Sequence, residues 1–406
     1  MTAPSASVIV VSRARPDALA RCLRAILQLR YPMMEVVIVA DPAGLKAIES
    51  QKDIVKTVSY DEPNISTARN LGIQAAAGEV VAFIDDDAVP EPSWLAELVK
   101  GFTRDDVGAV GGFTRGRNGI SYQWTGQSLD ENGVSFDLPA LPADISVPEA
   151  PTGHVIRTHG TNMAFRRDVL ATLGGFDPAF RFYLDEGDVH QRLARAGWKT
   201  ALVPTAEDHH GFYAGPYRTA SRLPISLYEP YRSHTLYIRK WGGDLTVREA
   251  LLAHDHARLS RHLIAGTCEP RDLPRLKKTA QDGWEDGLTA AFGTYPSFDP
   301  PPPFRNIPQT QRHGPTSVLA GRIWAARSLR AQAADRAKSG ETMTLFLFDP
   351  TARYHHVRYR TEGYWEQSGG LFGRANRTDP ILRFFRFKPR LAAEIARIGQ
   401  QRLLNL

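Results

Sequence analysis

The sequence predicts an α/β fold: a mixed, mostly parallel sheet flanked by helices, followed by a mostly helical C-terminal extension. Three observations carry this expectation. The first 90 residues alternate β-branched runs with segments of helical period, the pattern of a parallel sheet covered on both faces. The chain has 406 residues, more than one small domain needs. The proline run in "SFDPPPPFRNIP" (297–308) reads as a linker. The expected units are 1–243, 244–310 and 311–406, the last ending in a basic amphipathic tail.

The elements follow in order. "SVIVV" (7–11) reads as a buried strand. "RPDALARCLRAILQL" (15–29) sets Leu19, Leu23, Ile26 and Leu27 at helical spacing, with Pro16 and Asp17 suited to a first turn. "MEVVIVA" (34–40) is a second strand, "GLKAIES" a helix and "IVKTVSY" (54–60) a third strand. "NISTARNLGIQAAAG" (64–78) is a helix that Gly78 would close. "EVVAFID" (79–85) is the fourth strand. Beyond residue 110 loops and short strands are expected, with a proline-rich surface loop at 137–151. A strand and short helix return at 159–177, a helix and strand at 184–204, and an aromatic-rich helix at 226–243. Residues 244–295 read as polar helix and "TMTLFLFD" (342–349) as a strand. "TARYHHVRYRTEGYWEQSGGLFGR" (351–374) reads either as a binding surface or as a strand pair packed on the first unit.

Bulk properties narrow the class. Apolar residues make up 42% of the chain and charged residues 23%, so it is globular. Cys22 and Cys268 do not make a disulfide framework, which suits a reducing compartment. The N-terminus lacks a signal-peptide pattern and no run approaches 18 apolar residues. The expected location is the cytoplasm, with contact to the inner face of the membrane. The net charge of +6 favours anionic partners. Its basic residues are scattered without a recognition motif, so no nucleic acid is expected. The tail "ILRFFRFKPRLAAEIARIGQQRLLNL" (381–406) fits either a helix on an anionic membrane or one docked on the protein, and Pro389 interrupts any single long helix.

The fourth strand ends in Asp85, Asp86 and Asp87, where an open α/β sheet places its ligands. Aspartates also favour turns. Two carboxylates one residue apart at this edge fit a divalent cation that also meets a phosphate.

Five stretches, in this order, carry a resemblance: "VIVVSRARPDALARCLRAIL", "EVVIVAD", "NISTARNLGIQAAAGEVVAFIDDDAVPEPSWL", "GTNMAFRRDVLATLGGFD" and "LDEGDVHQRLARAG". Over residues 5–240 the chain resembles the inverting family-2 glycosyltransferases of GT-A fold. The resemblance implies a nucleotide-sugar donor, a UDP-sugar first among them, a glycan or lipid-linked acceptor, and Mn²⁺ or Mg²⁺. It makes Asp85 and Asp87 the DXD pair, with Asp87 on the metal and Asp85 on the ribose or the metal. Ser12, Arg13, Asp41, Arg69 and Asp86 would line the nucleotide pocket. His209 or His210 would reach the metal, with His210 the choice here. Two stretches depart from the family: Ser12-Arg13-Ala14 stands where Thr-Tyr-Asn is usual, and Ala40-Asp41-Pro42-Ala43 where Asp-Asp-Gly-Ser is usual. The role in cell-surface polysaccharide or lipopolysaccharide synthesis is likewise an expectation from the family.

An inverting transfer needs a carboxylate to take the acceptor's proton. The family's position falls on Glu186, with Asp185 second. Acids at a helix start are also favoured by capping and the helix dipole. Trp124, Gly160, Thr161, Asn162 and Asp188 are expected near the acceptor or donor sugar, and Asp188 also to support the helix start in an i,i+4 pair with Arg192. The rival readings are a nucleotidyltransferase and a non-catalytic nucleotide- or glycan-binding protein. "SRARPDA" lacks the Gly-rich, Lys-containing loop of the first, and the retained acids count against the second.

Overall fold

A computed structural model describes residues 3–139, 141–211, 213–308 and 314–404. The order begins β1 (Ala6–Ser12), α1 (Pro16–Ile26), β2 (Met34–Ala40), α2 (Pro42–Ala47), β3 (Lys56–Ser59), α3 (Ile65–Ala75) and β4 (Val80–Asp85). The strand-helix alternation therefore forms as read. Pro16 opens α1, and Asn64 caps α3 by accepting from the Thr67 amide at 3.1 Å. Helix α3 ends at Ala75, short of Gly78. Gly78 instead permits a close approach, since a Cβ there would stand 2.6 Å from the Ser7 amide nitrogen.

Next come β5 (Ala88–Pro90), α4 (Trp94–Lys100), β6 (Val107–Arg115), β7 (Tyr122–Trp124), β8 (Gln127–Asp130), β9 (Ser135–Asp137), β10 (His154–Arg157), β11 (Met163–Arg166), α5 (Arg167–Thr172), α6 (Asp185–Arg195) and β12 (Lys199–His210). The main sheet runs β3-β2-β1-β4-β11-β6-β12-β5, with β7 beside β6. Strands β3, β2, β1 and β4 are parallel, and β11 enters antiparallel between β4 and β6. Strand β6, nine buried residues, lies where loops and short strands were expected; its glycines dilute the β-branched signal. Strands β8, β9 and β10 form a small antiparallel sheet over part of the expected loop region. Ala140 within that region lies outside the described residues.

The strand alternation divides the core. Val8, Val10 and Ile38 pack with Leu19, Leu23 and Trp94 on one face. Ile9, Val37 and Phe83 pack with Ile73, Val189 and Leu193 on the other. Strands buried on both faces therefore read as continuous apolar runs.

Helices α7 (Tyr228–Trp241), α8 (Arg248–Ile264) and α9 (Asp272–Thr289) follow. The proline-rich stretch is pinned to the first unit rather than hanging as a free linker. The Arg305 amide donates to Glu35 Oε2 at 2.8 Å, the Ile307 amide to the Met34 carbonyl at 2.9 Å, and Ile307 is buried in the first core. The boundary expected at 310 lies outside the described residues.

The last unit corrects the expectation of a mostly helical extension. It holds β13 (Thr316–Arg322), α10 (Ala326–Lys338), β14 (Thr342–Asp349), β15 (His356–Tyr359), β16 (Trp365–Gly370) and α11 (Phe387–Arg402). Its sheet runs β13-β14-β16-β15. Stretch 351–374 thus contains a strand pair, and Val357, Tyr359 and Trp365 pack on Ala25, Val89 and Ile120 of the first unit. Helix α11 starts at Phe387, so Pro389 falls in its first turn, where the missing N–H costs nothing. It docks on the protein: Ile395 and Ile398 are buried against Phe346 and Phe348. Arg402 donates to both Glu91 carboxylate oxygens at 2.9 Å. Among the described residues no helix is long and apolar enough to cross a membrane.

Candidate active site

Strands β1 and β4 run side by side, with Val11 opposite Asp85, so Ser12 and the three aspartates emerge at one sheet edge. The acids then diverge. Asp86 turns inward, fully buried; Ser12 Oγ donates to its Oδ2 at 2.6 Å and Arg15 Nη2 stands 2.6 Å from its Oδ1. It is the brace of the turn. Asp85 keeps 30% of its side chain exposed. Asp87 receives the Tyr213 amide and Arg218 Nη2 at 3.0 Å each, with Arg15 Nη1 at 3.1 Å. Burial opposes ionisation of Asp87. The hydrogen bond and charge of His210, with Arg15 and Arg218, outweigh it and hold this carboxyl below the usual range.

Strand β12 turns its two histidines to opposite sides by its alternation. His210 lies opposite Ala88, beside Asp87, with Nε2 3.2 Å from Asp87 Oδ1. His209 points the other way, 2.9 Å from Glu91 Oε1. Asp85, Asp87 and His210 each offer one ligand atom, all within 4.8 Å of one another. Two carboxylates and an imidazole suit a divalent cation, and the imidazole favours Mn²⁺ over Mg²⁺.

The second acidic pair stands at the start of α6. Tyr183 and Leu184 precede it with φ of 76° and 62°, left-handed backbone that side chains seldom adopt. This turn delivers Asp185 and Glu186 together. Asp185 pairs with Arg69, whose Nη2 also lies 3.6 Å from Asp85 Oδ1. One buried guanidinium therefore joins the two acidic clusters. Gly160 leaves it room, because a Cβ there would run into Arg69 Nη2. Glu186 pairs with Arg157. Burial works against ionisation of both acids. For Glu186 the Arg157 and Arg69 charges win and hold it low; for Asp185 burial and the Glu186 charge outweigh Arg69 and push it up.

Beside these clusters lies a cavity of about 780 Å³ lined by Ser12, Arg13, Arg15, Tyr60, Tyr217 and Arg218, among others. Phe182 and Tyr217 stack on each other in its wall with centroids 4.0 Å apart. Arg13 stands on its wall, paired with Asp61 at 3.0 Å. Trp124 stacks on His159 at 4.5 Å and tilts against His210 at 5.3 Å, which keeps it at the site.

Besides Asp86, expected in the nucleotide pocket but buried under the turn, four expected residues are placed otherwise. Asp41 caps α2 through the Gly44 amide and is absent from the cavity lining. Thr161 donates to Asp208 Oδ2 at 3.0 Å, and Asn162 donates to Asp208 Oδ1 at 3.1 Å while accepting from Trp94 Nε1. Both brace the sheet beneath His210. Asp188 is fully buried between Arg192 and Lys240, at 2.9 and 2.6 Å, and anchors α6. Asn70 ties α3 to the Phe176 backbone. Arg15, Arg157, Asp208 and Arg218 were not singled out from the sequence. Only Arg15 carried a signal, a cation just past the first strand at the ligand edge.

Residues 7–174 match the family described as Glycosyl transferase family 2. Over 245 residues the chain is 30% identical to the N-acetylglucosaminyl-diphospho-decaprenol L-rhamnosyltransferase of Mycobacterium tuberculosis, covering 49% of this chain and 79% of that protein. The chain belongs to glycosyl transferase family 2. This family-2 chain has the GT-A-like architecture, a mixed and mostly parallel sheet flanked by helices. It is also 30% identical over 259 residues to the O-antigen biosynthesis protein RfbC of Myxococcus xanthus, covering 59% of this chain and 19% of that one. Against the glucosyl-dolichyl phosphate glucuronosyltransferase of Haloferax volcanii it is 28% identical over 180 residues, 43% of this chain and 55% of that one. The chain thus spans from about a fifth to about half of the length of these last two relatives. The family match takes in Asp85–Asp87 and stops short of Asp185 and Glu186.

The family-2 chain's buried histidines carry a pH prediction. Burial holds His190, beneath Glu186, and His234, against the Gly133 and Asn132 carbonyls, down to about 4 each. A histidine depressed below its unfolded value of about 6.5 binds fewer protons when folded. Its contribution is complete above pH 7 and is lost as pH falls through 6.5 toward 4, at about 2 kcal/mol each by pH 5. Buried carboxyls raised to about 7, Asp185 and Asp208 among them, act in the opposite sense, so the test is the difference between variants: from pH 7 to pH 5 the His190→Gln variant should lose about 2 kcal/mol less in urea unfolding than wild type. Equal losses in wild type and variant would refute the assignment.

Proposed function

We propose that this protein is a metal-dependent, inverting glycosyltransferase that moves a sugar from a nucleotide-sugar donor to a glycan or lipid-linked acceptor. The observation that carries the reading is the joining of Asp85, Asp87 and His210 to Asp185 and Glu186 through the single guanidinium of Arg69. Metal-side and base-side groups are thereby held in one rigid unit.

Asp85, Asp87 and His210 would hold the divalent cation, which neutralises the donor diphosphate when bound. Ser12, Arg13 and Tyr60 would line the nucleoside end of the cavity. Arg15 and Arg218, already beside Asp87, would turn toward the diphosphate as negative charge collects on it. Glu186, held ionised, would take the proton of the acceptor hydroxyl as its oxygen bonds to the anomeric carbon. The bond from that carbon to the diphosphate breaks on the opposite face, and the electron pair leaves with the phosphate. A UDP-sugar is the first donor to test. The relatives whose names carry diphospho-decaprenol and dolichyl phosphate support a lipid-linked acceptor, and the O-antigen relative supports a role in surface glycan synthesis.

The test is calorimetric titration of UDP, GDP and dTDP with and without Mn²⁺. One of them should bind in a metal-dependent way. Asp87→Ala should weaken that binding by at least about 100-fold, since it removes a direct ligand rather than an outer partner. If no nucleotide binds the folded protein, a non-catalytic role on this fold replaces the proposal.

A further inference from the structure

Residues 380–393, "PILRFFRFKPRLAA", contain four cations and no carboxylate. The structure divides this stretch in two. From Phe387 on, helix α11 turns its apolar residues to the small sheet, with Leu391, Ile395 and Ile398 packed around Phe346 and Phe348. The residues just before it do the reverse. Ile381 is 66% exposed, Leu382 47% and Phe384 80%, and Trp324, just past β13, is 73% exposed.

These side chains belong to one patch. Arg322 Cζ lies 5.8 Å from the Trp324 ring and 5.0 Å from the Phe387 ring, tying the end of β13 to the start of α11. Phe384 rests its edge on Phe372, with centroids 5.5 Å apart, and the Arg383 amide donates to the Phe372 carbonyl at 3.1 Å. The segment is therefore fastened at its base while its outer side chains project. Arg327, Arg383, Arg386 and Lys388 are exposed around it. Single apolar residues on a surface need no explanation, but a cluster of four large ones ringed by cations does.

We propose that this patch docks the protein on an anionic lipid bilayer. Trp324, Ile381, Leu382 and Phe384 enter the boundary between headgroups and acyl chains, and Arg383, Arg386 and Lys388 meet the lipid phosphates. Two features favour a bilayer over a protein partner. Rings exposed by 73 and 80% are knobs, not a groove, and a fluid surface accepts knobs without a matching shape. The exposed charges of the segment itself are all positive, which complements a sheet of phosphates, and the nearby Asp379 carboxylate is turned to the Ala375 and Asn376 amides. Tryptophan and phenylalanine above a belt of arginine and lysine are also the composition that settles at the membrane interface. The contact expected of the tail thus moves from the helix itself, whose apolar face is covered, to the segment before it and to Trp324.

The test is flotation of the full chain with vesicles of equimolar phosphatidylglycerol and phosphatidylcholine, against phosphatidylcholine alone. The chain should float with the anionic vesicles only, and less as salt rises. Trp324→Ser with Phe384→Ser should cut partitioning by roughly tenfold or more, through lost apolar contact. Arg383→Glu with Lys388→Glu should cut it by at least roughly fivefold per cation removed. All four positions are exposed, and unchanged circular dichroism would confirm folding. Absence of flotation with anionic vesicles overturns the proposal, as does a Trp324/Phe384 variant that floats like the wild type. A wild-type dimer that this variant makes monomeric, with no vesicle binding, would assign the patch to self-association instead. The readout needs neither donor nor metal, so its outcome is separate from that of the nucleotide titration.

Discussion

Glu186→Gln is expected to lower sugar transfer by roughly 10²–10⁴-fold while leaving nucleotide affinity nearly unchanged. Gln keeps the shape of Glu and can still accept a hydrogen bond from Arg157 through its amide oxygen. What it loses is the ability to take a proton. The Arg157 and Arg69 charges keep Glu186 ionised although it is only 8% exposed, so it carries no proton at neutral pH. Turnover measured beside calorimetric nucleotide affinity separates the two effects. Asp185→Asn is the control: Asp185 is tied to Arg69 in the buried bridge between the two acidic clusters, so its loss should act first on stability and on nucleotide binding. If the Glu186 variant kept more than about a tenth of the rate and the Asp185 variant lost it, the roles would be exchanged.

Arg69→Met should have the second largest effect, on both stability and binding. Its guanidinium is 3% exposed, faces the Phe176 ring at 5.2 Å, and is the shared partner of Asp185 and Asp85. Removing it leaves Asp185 buried without its cation. Breaking a buried pair from one side costs about 3–5 kcal/mol. Asp185, already pushed up by burial, can take a proton in response, which sets the expectation at the lower end of that range. Urea unfolding at pH 7 measures the loss, and the deficit should shrink at lower pH as Asp185 protonates. Metal-dependent nucleotide binding should weaken in the same variant, because Asp85 loses its neighbour. A variant as stable as wild type with unchanged binding would mean that the bridge between the clusters is dispensable.

How far the sequence reached depends on the range of the interaction. The first four strands and three helices were legible because burial on both faces of a parallel sheet leaves long apolar runs, and helical period is a local property. Asp85 and Asp87 were legible for a similar reason, since three carboxylates at the end of such a run have few structural uses. Strand β6 was not, because its glycines carry little β signal and its burial is imposed by β11 and β12 on either side. The last unit's sheet was legible at β14, where the apolar run is longest, and left open at β15 and β16, where a strand pair was one of two readings.

Within the site the division is sharper. The order of residues by itself determined the kind of protein, the edge of the sheet that carries the chemistry, and the acids that stand there. Only the tertiary structure decided which partner each side chain meets. Asp86 and Asp87 are adjacent in the chain, yet one braces the turn with Ser12 and Arg15 while the other joins His210. Asp41, Thr161, Asn162 and Asp188 had the right types at the right places, and each is held by a cap, a buried hydrogen bond or an ion pair away from the cavity. Arg69 joins acids 16 and 116 positions away, and Arg157 reaches Glu186 on α6 from strand β10. A carboxylate's work is set by the cation or amide within about 3 Å of it. That neighbour is chosen by the folding of distant segments, which no local pattern records.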